Sequence, residues 1–432
     1  MSRIKPRTLK GFRDFLPPAM LARERIADAA RATFRLHGFA PIDTPALEHA
    51  EVLLGKGGGE TEKQVYRFGD NGGRDVALRF DLTVPLARFA AQYVGQLGTP
   101  MRLYHIAPVW RAEKPQKGRF REFVQCDFDT LGADSAVADA ETLSVIHALV
   151  ARLEVGGFTV RMNHRGVLNA FLRKNGVEEK SVAVLRAIDK LPKVGPDAVR
   201  EELTEAGIES AAVDALLDFA GCKGQPKDVL PKAAEVVAGD EAGEAAVERL
   251  REVVAAAGVP VGRLEVDLSI ARGLDYYTGV IFETFLDDLP GIGSVCSGGR
   301  YDNLADLFST QPLPGVGASL GLDRVIAAME ELGRLDESAT PARVLVTVME
   351  ADRVPDYLAA ARTLREAGVA AEVYPTAAKF KKQMQYADRK GFRYVLVAGT
   401  SEFERGVFAV KDLQSGEQTE AALSDLAAAV AP

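Results

Sequence analysis

The sequence predicts an α/β chain. It should have an α+β core, a helical insertion within that core, and a small α/β domain at the end. Three observations carry this reading. Residues 101–132 read as strand, basic loop and strand. Residues 167–259 lose their strand signals and turn rich in Ala, Glu, Lys and Val, with helical periodicity and breaks at Gly176, Pro192, Gly195, Gly207 and Gly221. After a polar, unpatterned stretch at 333–341, strands and helices alternate, which argues a largely parallel sheet. The expected division is a core over 1–332 with 167–259 inserted, a linker at 333–341, and a second domain over 342–432.

Whole-chain properties narrow the function classes. A chain of 432 residues, 47% of them hydrophobic, has enough apolar material for two or three domains. Cys126, Cys222 and Cys296 are far apart and form no CxxC pair, which argues against a disulfide framework and against a cysteine zinc site. That usage suits a reducing cytoplasm. The opening residues have no apolar leader, and no run approaches membrane-span length, so no membrane partner is expected. A net charge of −8 means that any nucleic-acid partner would have to meet local basic patches.

Taken in order, residues 18–37 show helical spacing of Met20, Ile26, Ala29 and Phe34, and Gly38 is the stop. Phe39 to Thr44 is extended and ends at Pro45, as edge elements often do. Leu53 to Glu62 contains three consecutive glycines and reads as a loop, either lid or connector; the phosphate-cradle pattern G-x-x-x-x-G-K-[ST] occurs nowhere. A strand over 74–80 leads through Asp81 and Thr83 into a helix from Leu86 to Val94. Thr83 suits an N-cap there, leaving Asp81 to face a cavity.

The hairpin follows. Phe123, Gln125, Asp127 and Asp129 alternate with Val124, Cys126 and Phe128, which puts a row of polar groups on one open face and apolar groups on the other. Lys114, Lys117, Arg119 and Arg121 make its loop cationic, apt for a phosphate-bearing substrate or simply for water. A helix with Val137, Ala140, Leu143, Ile146, Leu149 and Val150 should cover a sheet, and Phe158 to Asn163 is the next strand. Beyond the insertion, strands are expected at Leu264 to Leu268, Val280 to Phe285 and Ser294 to Arg300. Between the first two, Arg272 adjoins Gly273, where a guanidinium and backbone can approach a ligand, and of Tyr276 and Tyr277 one should line a cavity if the segment is extended. Gly315 to Arg324 is glycine-rich and enters a helix through Leu332; Gly317 and Gly321 suit either a phosphate or close packing.

In the last domain, strands are expected at 343–349, Ala371 to Tyr374, 394–398 and Gly406 to Lys411, and helices at 355–367, Ala377 to Lys390 and near 420–430. Lys379, Lys382, Tyr386 and Arg389 fall on one face of the middle helix, which an RNA surface needs and which solvation alone also produces.

Together these motifs resemble the histidyl-tRNA synthetase family of class II aminoacyl-tRNA synthetases along nearly the whole chain. Lys10-Gly-Phe-Arg-Asp14 is similar to that family's opening, the helix and strand ending at Pro45 to class II motif 1, residues 101–132 to motif 2, and Gly317 to Arg324 to motif 3. Arg272-Gly-Leu-Asp-Tyr-Tyr277 and Ser297-Gly-Gly-Arg-Tyr-Asp302 resemble stretches specific to the histidine enzymes. Arg79-Phe-Asp-Leu-Thr83 is similar to the eukaryotic-type branch, whereas many bacterial members have Pro-Glu-Gly-Thr; Asp81 keeps the carboxylate.

The resemblance implies a class II antiparallel-sheet catalytic domain with a C-terminal anticodon-binding domain. It implies a homodimer that joins histidine to tRNA-His at the expense of ATP with Mg²⁺, and no zinc. Arg111 and Arg272 would be catalytic cations at the α-phosphate, both also within reach of histidine. Asp81, Gln125 and Asp129 would recognise the amino group and imidazole of histidine, with Thr83, Tyr276 and Tyr277 around them. Arg111, Glu113, Arg119 and Arg324 would hold ATP. Gln116 would meet the tRNA acceptor end, and Lys379 and Lys382 the anticodon side. Asp127 matches no ligand position in the family pattern and is expected to be structural. Two relatives share the core without the activity. One is a histidine-binding regulatory subunit of ATP phosphoribosyltransferase, which usually lacks the last domain. The other is a tRNA-sensing module within a larger kinase. The last domain, Arg111, Arg272 and Arg324 are all present here, and no kinase signature occurs.

Overall fold

The computed structural model describes residues 3–431 except 56–61, 63, 116–117, 271–275 and 336–337, and not the side chains of 189, 192 and 193. The chain divides into two compact units, residues 1–13 with 26–334 and residues 14–25 with 335–432. Among the described residues no helix is long and apolar enough to cross a membrane.

The first unit holds helices α1 (Pro17–Leu36, in part), α2 (Ala50–Leu54), α3 (Thr83–Leu97), α4 (Ala136–Arg152), α5 (Arg165–Lys174), α6 (Ser181–Glu205), α7 (Ser210–Gly221), α8 (Pro226–Val237), α9 (Glu241–Ala256) and α10 (Leu322–Glu331). Its strands are β1 (Ala40–Pro41), β2 (Leu47–His49), β3 (Arg67–Gly69), β4 (Asp75–Leu78), β5 (Met101–Trp110), β6 (Glu122–Leu131), β7 (Phe158–His164), β8 (Lys223–Gly224), β9 (Leu264–Asp267), β10 (Val280–Leu286), β11 (Cys296–Tyr301) and β12 (Gly315–Gly321). Among the described residues these form one sheet in the order β1-β5-β6-β12-β11-β10-β7-β9-β8, and a small one in the order β2-β4-β3. The long strands from β5 to β7 in that order are antiparallel to their neighbours; β1 and β9 join parallel.

Side-chain alternation sorts the two faces of the central strands. On one face Phe34 of α1 packs against Tyr104 and Phe128, with ring centroids 5.4 and 5.0 Å apart. On the other, Leu103 and Leu131 join Ala87 and Ala90 of α3 in an apolar cluster that also takes in Tyr301. The predicted hairpin therefore exists, with Asp127 paired to His105 on one side and to Ser319 on the other. Its polar face is not open: Gln125, Asp127 and Asp129 are all buried. Alternation decides only which way a side chain points; the covering element comes from elsewhere in the chain. Val137, expected to cover the sheet, is 75% exposed, because α4 turns its other face inward.

The insertion leaves the sheet after β7 and returns at β9, which pairs parallel to β7. It is fastened to the core by charge. Asp139 of α4, fully buried, accepts from Arg300 of β11 at 2.6 and 2.9 Å and from Arg249 of α9 at 2.8 Å. Arg300 is itself buried. Removing one member of such a group leaves an uncompensated charge out of water.

In the second unit, β13 (Val344–Val346), β14 (Ala371–Val373), β15 (Tyr394–Val397), β16 (Val407–Asp412) and β17 (Gln418–Ala422) form a sheet in the order β14-β13-β15-β16-β17. The first three strands are parallel and the last two antiparallel, so the sheet is mixed rather than largely parallel. Its helices are α11 (Val354–Glu366), α12 (Phe380–Lys390), α13 (Thr400–Arg405) and α14 (Leu426–Ala429). Residues 418–422, placed partly in a final helix by their composition, pair with β16 instead. Gln383 is fully buried and clips α12 to the end of β13. Its Nε2 donates to the Val348 and Ala378 carbonyls at 2.8 Å, and its Oε1 accepts from the Val348 N–H at 2.9 Å.

Asp139→Ala should strip Arg300 of its main partner and cost about 3–5 kcal/mol. Chemical denaturation followed by circular dichroism is expected to show the loss as an earlier first transition.

Candidate active site

The site begins where β4 hands over to α3. Arg79 is buried and holds this junction, donating to the Pro108 carbonyl at 3.0 Å and the Thr44 carbonyl at 2.5 Å. Asp81 follows, 1% exposed. Its Oδ1 accepts from the Val84 N–H at 3.1 Å, and its Oδ2 accepts from the Tyr276 hydroxyl at 3.4 Å. Asp81 is thus the residue that caps the helix, where Thr83 was expected to. Thr83 is already the first helical residue and Leu82 occupies the cap position. One carboxylate serves both the helix end and the site.

Arg111 leaves the end of β5 beside this junction. Its Nε donates to the Phe80 carbonyl at 2.9 Å, and its guanidinium lies 5.1 Å from the Phe123 ring centroid. β6 supplies Gln125, Asp127 and Asp129 on one face. Asp129 accepts from the Tyr301 hydroxyl at 2.6 Å. Gly317, opposite Asp129, leaves it room: a Cβ there would sit 2.0 Å from Oδ1. Tyr276 and Tyr277 both pack on the cluster under α3, their centroids 5.1 Å apart. The expectation of one inward and one cavity-lining tyrosine assumed an extended segment; Tyr276 lies in a turn.

Burial dominates the electrostatics. It pushes Asp81 up to about 6, against the Val84 N–H and the charge of Arg111. It pushes Asp129 up to about 7, against the Tyr301 hydrogen bond and with help from Asp81. Asp127 is driven well above the usual carboxylate range by burial and by Asp129. The floor is short of positive charge, as a receptor for a cationic, N–H-rich ligand should be before the ligand arrives.

A cavity of about 190 Å³ adjoins this floor, lined by Arg111, Glu113, Arg119, Phe123, Gln125 and Arg324 among others. All four residues expected to hold ATP line it. Arg324 donates to the Ser294 carbonyl. Asp323 beside it is buried, accepts from the Val124 N–H at 2.8 Å and pairs with Arg13 at 3.0 Å. Arg13 also lies over the Phe120 ring, 3.9 Å from its centroid, and Gly11 accepts from the Arg121 N–H at 2.8 Å. The opening segment therefore braces the base of the cationic loop.

The structure brings Asp81, Thr83, Arg111, Gln125, Asp129, Tyr276 and Tyr277 together at the floor, and Arg111, Glu113, Arg119 and Arg324 at the cavity. Arg272, Gln116 and the 57–59 glycines lie outside the described residues. Lys379 and Lys382 belong to the second unit and are exposed. Lys379 precedes α12 instead of lying in it. Tyr386 is half-buried: its hydroxyl donates to Glu372, its ring packs on Tyr374, and the Arg389 guanidinium lies 5.9 Å from its centroid. Sequence reasoning gave no role to Tyr301, Ser319 or Asp323. The strand register, which places Ser319 opposite Asp127, was the missing signal. Among the described residues no group of three His, Cys, Asp or Glu side chains is placed to hold a metal ion.

An antiparallel-rich sheet carrying the site, on a chain that ends in a separate α/β unit, defines the class: an aminoacyl-tRNA synthetase of class II. The histidyl-tRNA synthetase family matches residues 11–325, and an anticodon-binding domain matches residues 343–431. The chain is 53% identical over 425 residues to a histidine–tRNA ligase of Rhodopirellula baltica, covering 98% of this chain and 96% of that one. It is 46% identical over 423 residues to the ligase of Wolinella succinogenes, covering 96% and 95%. A crystal structure of histidyl-tRNA synthetase from Nostoc sp. PCC 7120 superposes with a TM-score of 0.90 at 35% identity, covering 99% of both chains. The chain belongs to the histidyl-tRNA synthetase family.

The raised carboxylates carry a stability signature. Asp129 titrates near 7 when folded and near 4 when unfolded. An acid raised by folding binds its proton more tightly in the folded state, so its contribution to stability is lost as pH rises from about 4 to about 7. Asp129→Asn removes that dependence. Denaturation of both proteins at pH 5 and pH 8 should show the variant gaining on the parent by about 2–3 kcal/mol.

Proposed function

We infer that the chain, a ligase that joins histidine to tRNA, does so at the floor and cavity described above. The observation that carries this reading is the adjacency of the two. A buried carboxylate floor suited to a cationic amino acid shares Arg111 and Gln125 with an arginine-lined cavity suited to a nucleoside triphosphate.

Histidine would lie over Asp81, Gln125 and Asp129, its ammonium and ring N–H groups meeting acceptors. Such a site rejects apolar analogues, because its buried polar groups would be left unpaired. ATP would lie in the cavity, with Arg324 and Arg119 toward the outer phosphates and Glu113 at the strand end. The histidine carboxylate oxygen attacks the α-phosphorus in line; the bond to the β-phosphate oxygen breaks and pyrophosphate leaves. Arg111, fixed by the Phe80 carbonyl and the Phe123 ring, is placed for the charge that develops on the α-phosphate. Arg272 is assigned the same phosphate on the resemblance alone. A ribose hydroxyl at the tRNA 3′ end then attacks the activated carbonyl, and AMP leaves.

The donor set fits Mg²⁺ held mainly by ATP: Glu113 is a carboxylate in the cavity among cations that would share the phosphates. Such an ion would neutralise phosphate charge. Lys379 and Lys382 would meet the anticodon side of tRNA-His, and Gln116 its acceptor end. A second copy of the chain is expected at the free edge of the large sheet, supported by the exposed Leu47 and Phe68 of the neighbouring small sheet. A tRNA substrate and the reduced-cysteine usage fit a reaction in the cytoplasm.

Arg111→Ala is expected to slow histidine-dependent ATP–pyrophosphate exchange by about 10²–10³-fold, as removal of a charge-stabilising donor does. Exchange within threefold of the parent would overturn the assignment. Lys379→Ala with Lys382→Ala should leave exchange unchanged. In aminoacylation assays the pair should raise the KM for tRNA and flatten its logarithmic salt dependence by about 1 to 2 units.

A further inference from the structure

The floor contains one residue that the substrate reading leaves without work. Asp127 lies between Gln125 and Asp129 on β6, buried, with no ligand role in the family pattern. Its neighbours explain it. Ser319 of β12 stands directly opposite in the strand register and hydrogen-bonds the Asp127 carboxylate. Gln125 Nε2 in turn lies 2.7 Å from Ser319 Oγ and 3.5 Å from Asp127 Oδ1. Gln125 Oε1 is buried and has no partner among the described residues.

Donor and acceptor chemistry gives this chain one direction. Ser319 donates its single proton to the Asp127 carboxyl, a bond that works against the raising of that group by burial. The Ser319 oxygen then has only lone pairs to offer Gln125, and must meet the amide NH₂ rather than its carbonyl. A glutamine amide has two orientations of similar shape, and the network alone decides between them. Here it turns Oε1 away from Ser319 as a desolvated acceptor. An orphaned buried acceptor is destabilising unless a donor arrives. Three cationic or N–H groups on a bound amino acid are the donors this site is built to receive.

We propose that Asp127 and Ser319 are positioning residues that lock the Gln125 amide with its oxygen toward the amino-acid substrate. This rests on the reading of Gln125 as a histidine contact. Asp127 acts through Ser319 and touches no substrate atom. Its burial is what makes the lock selective: water that would satisfy either amide orientation is excluded. A substrate N–H at Oε1 reinforces the same polarity along the whole chain.

The test is steady-state ATP–pyrophosphate exchange with full-length protein, varying histidine and ATP separately. Gln125→Ala is the control for the underlying reading, and should raise the histidine KM at least tenfold. Given that, Ser319→Ala and Asp127→Asn are each expected to raise the histidine KM about tenfold while the ATP KM stays within twofold. The double variant should be no worse than the poorer single one, because both break one chain. Ser319→Thr, which keeps the hydroxyl, should lie closer to the parent than Ser319→Ala. A histidine KM within twofold of the parent in both single variants overturns the proposal. So does an equal rise in the two KM values, which a general loosening of the sheet would produce. If Gln125→Ala itself leaves the histidine KM unchanged, the reading of Gln125 fails and the lock fails with it.

Discussion

Three carboxylates, Asp81, Asp127 and Asp129, are taken out of water on one patch of one sheet, and their desolvation is the constraint that the surrounding structure answers. Like charges crowded in a medium of low polarity repel and lose hydration together. The protein supplies partial compensation from every side: the Val84 N–H at Asp81, the Tyr276 and Tyr301 hydroxyls at Asp81 and Asp129, Ser319 at Asp127, and the charge of Arg111 near the edge. None of these cancels the burial, so all three acids remain raised. On the proposed reading this preformed deficit of positive charge would act as a binding device: the fold holds its unfavourable free energy, and a cationic substrate would relieve it.

That device also explains the layout of the neighbouring cavity. Arg111, Arg119 and Arg324 would repel an ammonium group, and the carboxylates would repel a triphosphate, so on the proposed reading the two substrates would be sorted by sign before any shape is considered. Arg111 stands at the boundary and is shared. Its position does not depend on either substrate, because the Phe80 carbonyl and the Phe123 ring already hold it. Farther out, Asp323 takes the Val124 N–H and Arg13 together, so the start of the chain, the second hairpin strand and the start of α10 are tied at one carboxylate. The same economy appears in the insertion, where Asp139 gathers Arg300 and Arg249.

Much of this was legible in the sequence. The period-two alternation of residues 123–129 set which side chains share a face, and the helical run of the insertion and the alternating last domain were plain in composition and spacing. The parts misread share one cause. Whether the polar face was open or covered, and whether Asp81 or Thr83 capped a helix, each depend on a partner distant in sequence. Tyr276 lies 195 residues from Asp81, and Tyr301 lies 172 from Asp129. Short strands such as β2, β3 and β17 were missed because they owe their existence to a pairing partner rather than to their own propensity.

Asp127 on the hairpin shows where the division falls. The sequence by itself determined that this acid shares a face with Gln125 and Asp129, since the pleat allows nothing else. It determined the family too, because the motifs are local strings. Only the tertiary structure decided that this face is buried and that Ser319, 192 residues away, stands opposite Asp127. Strand register is a relation between two segments, and burial is a property of everything packed around them. Neither is a property of the residues alone, and both are needed before a carboxylate in a row becomes a group with a defined hydrogen-bond partner, a raised pKa and a direction to impose.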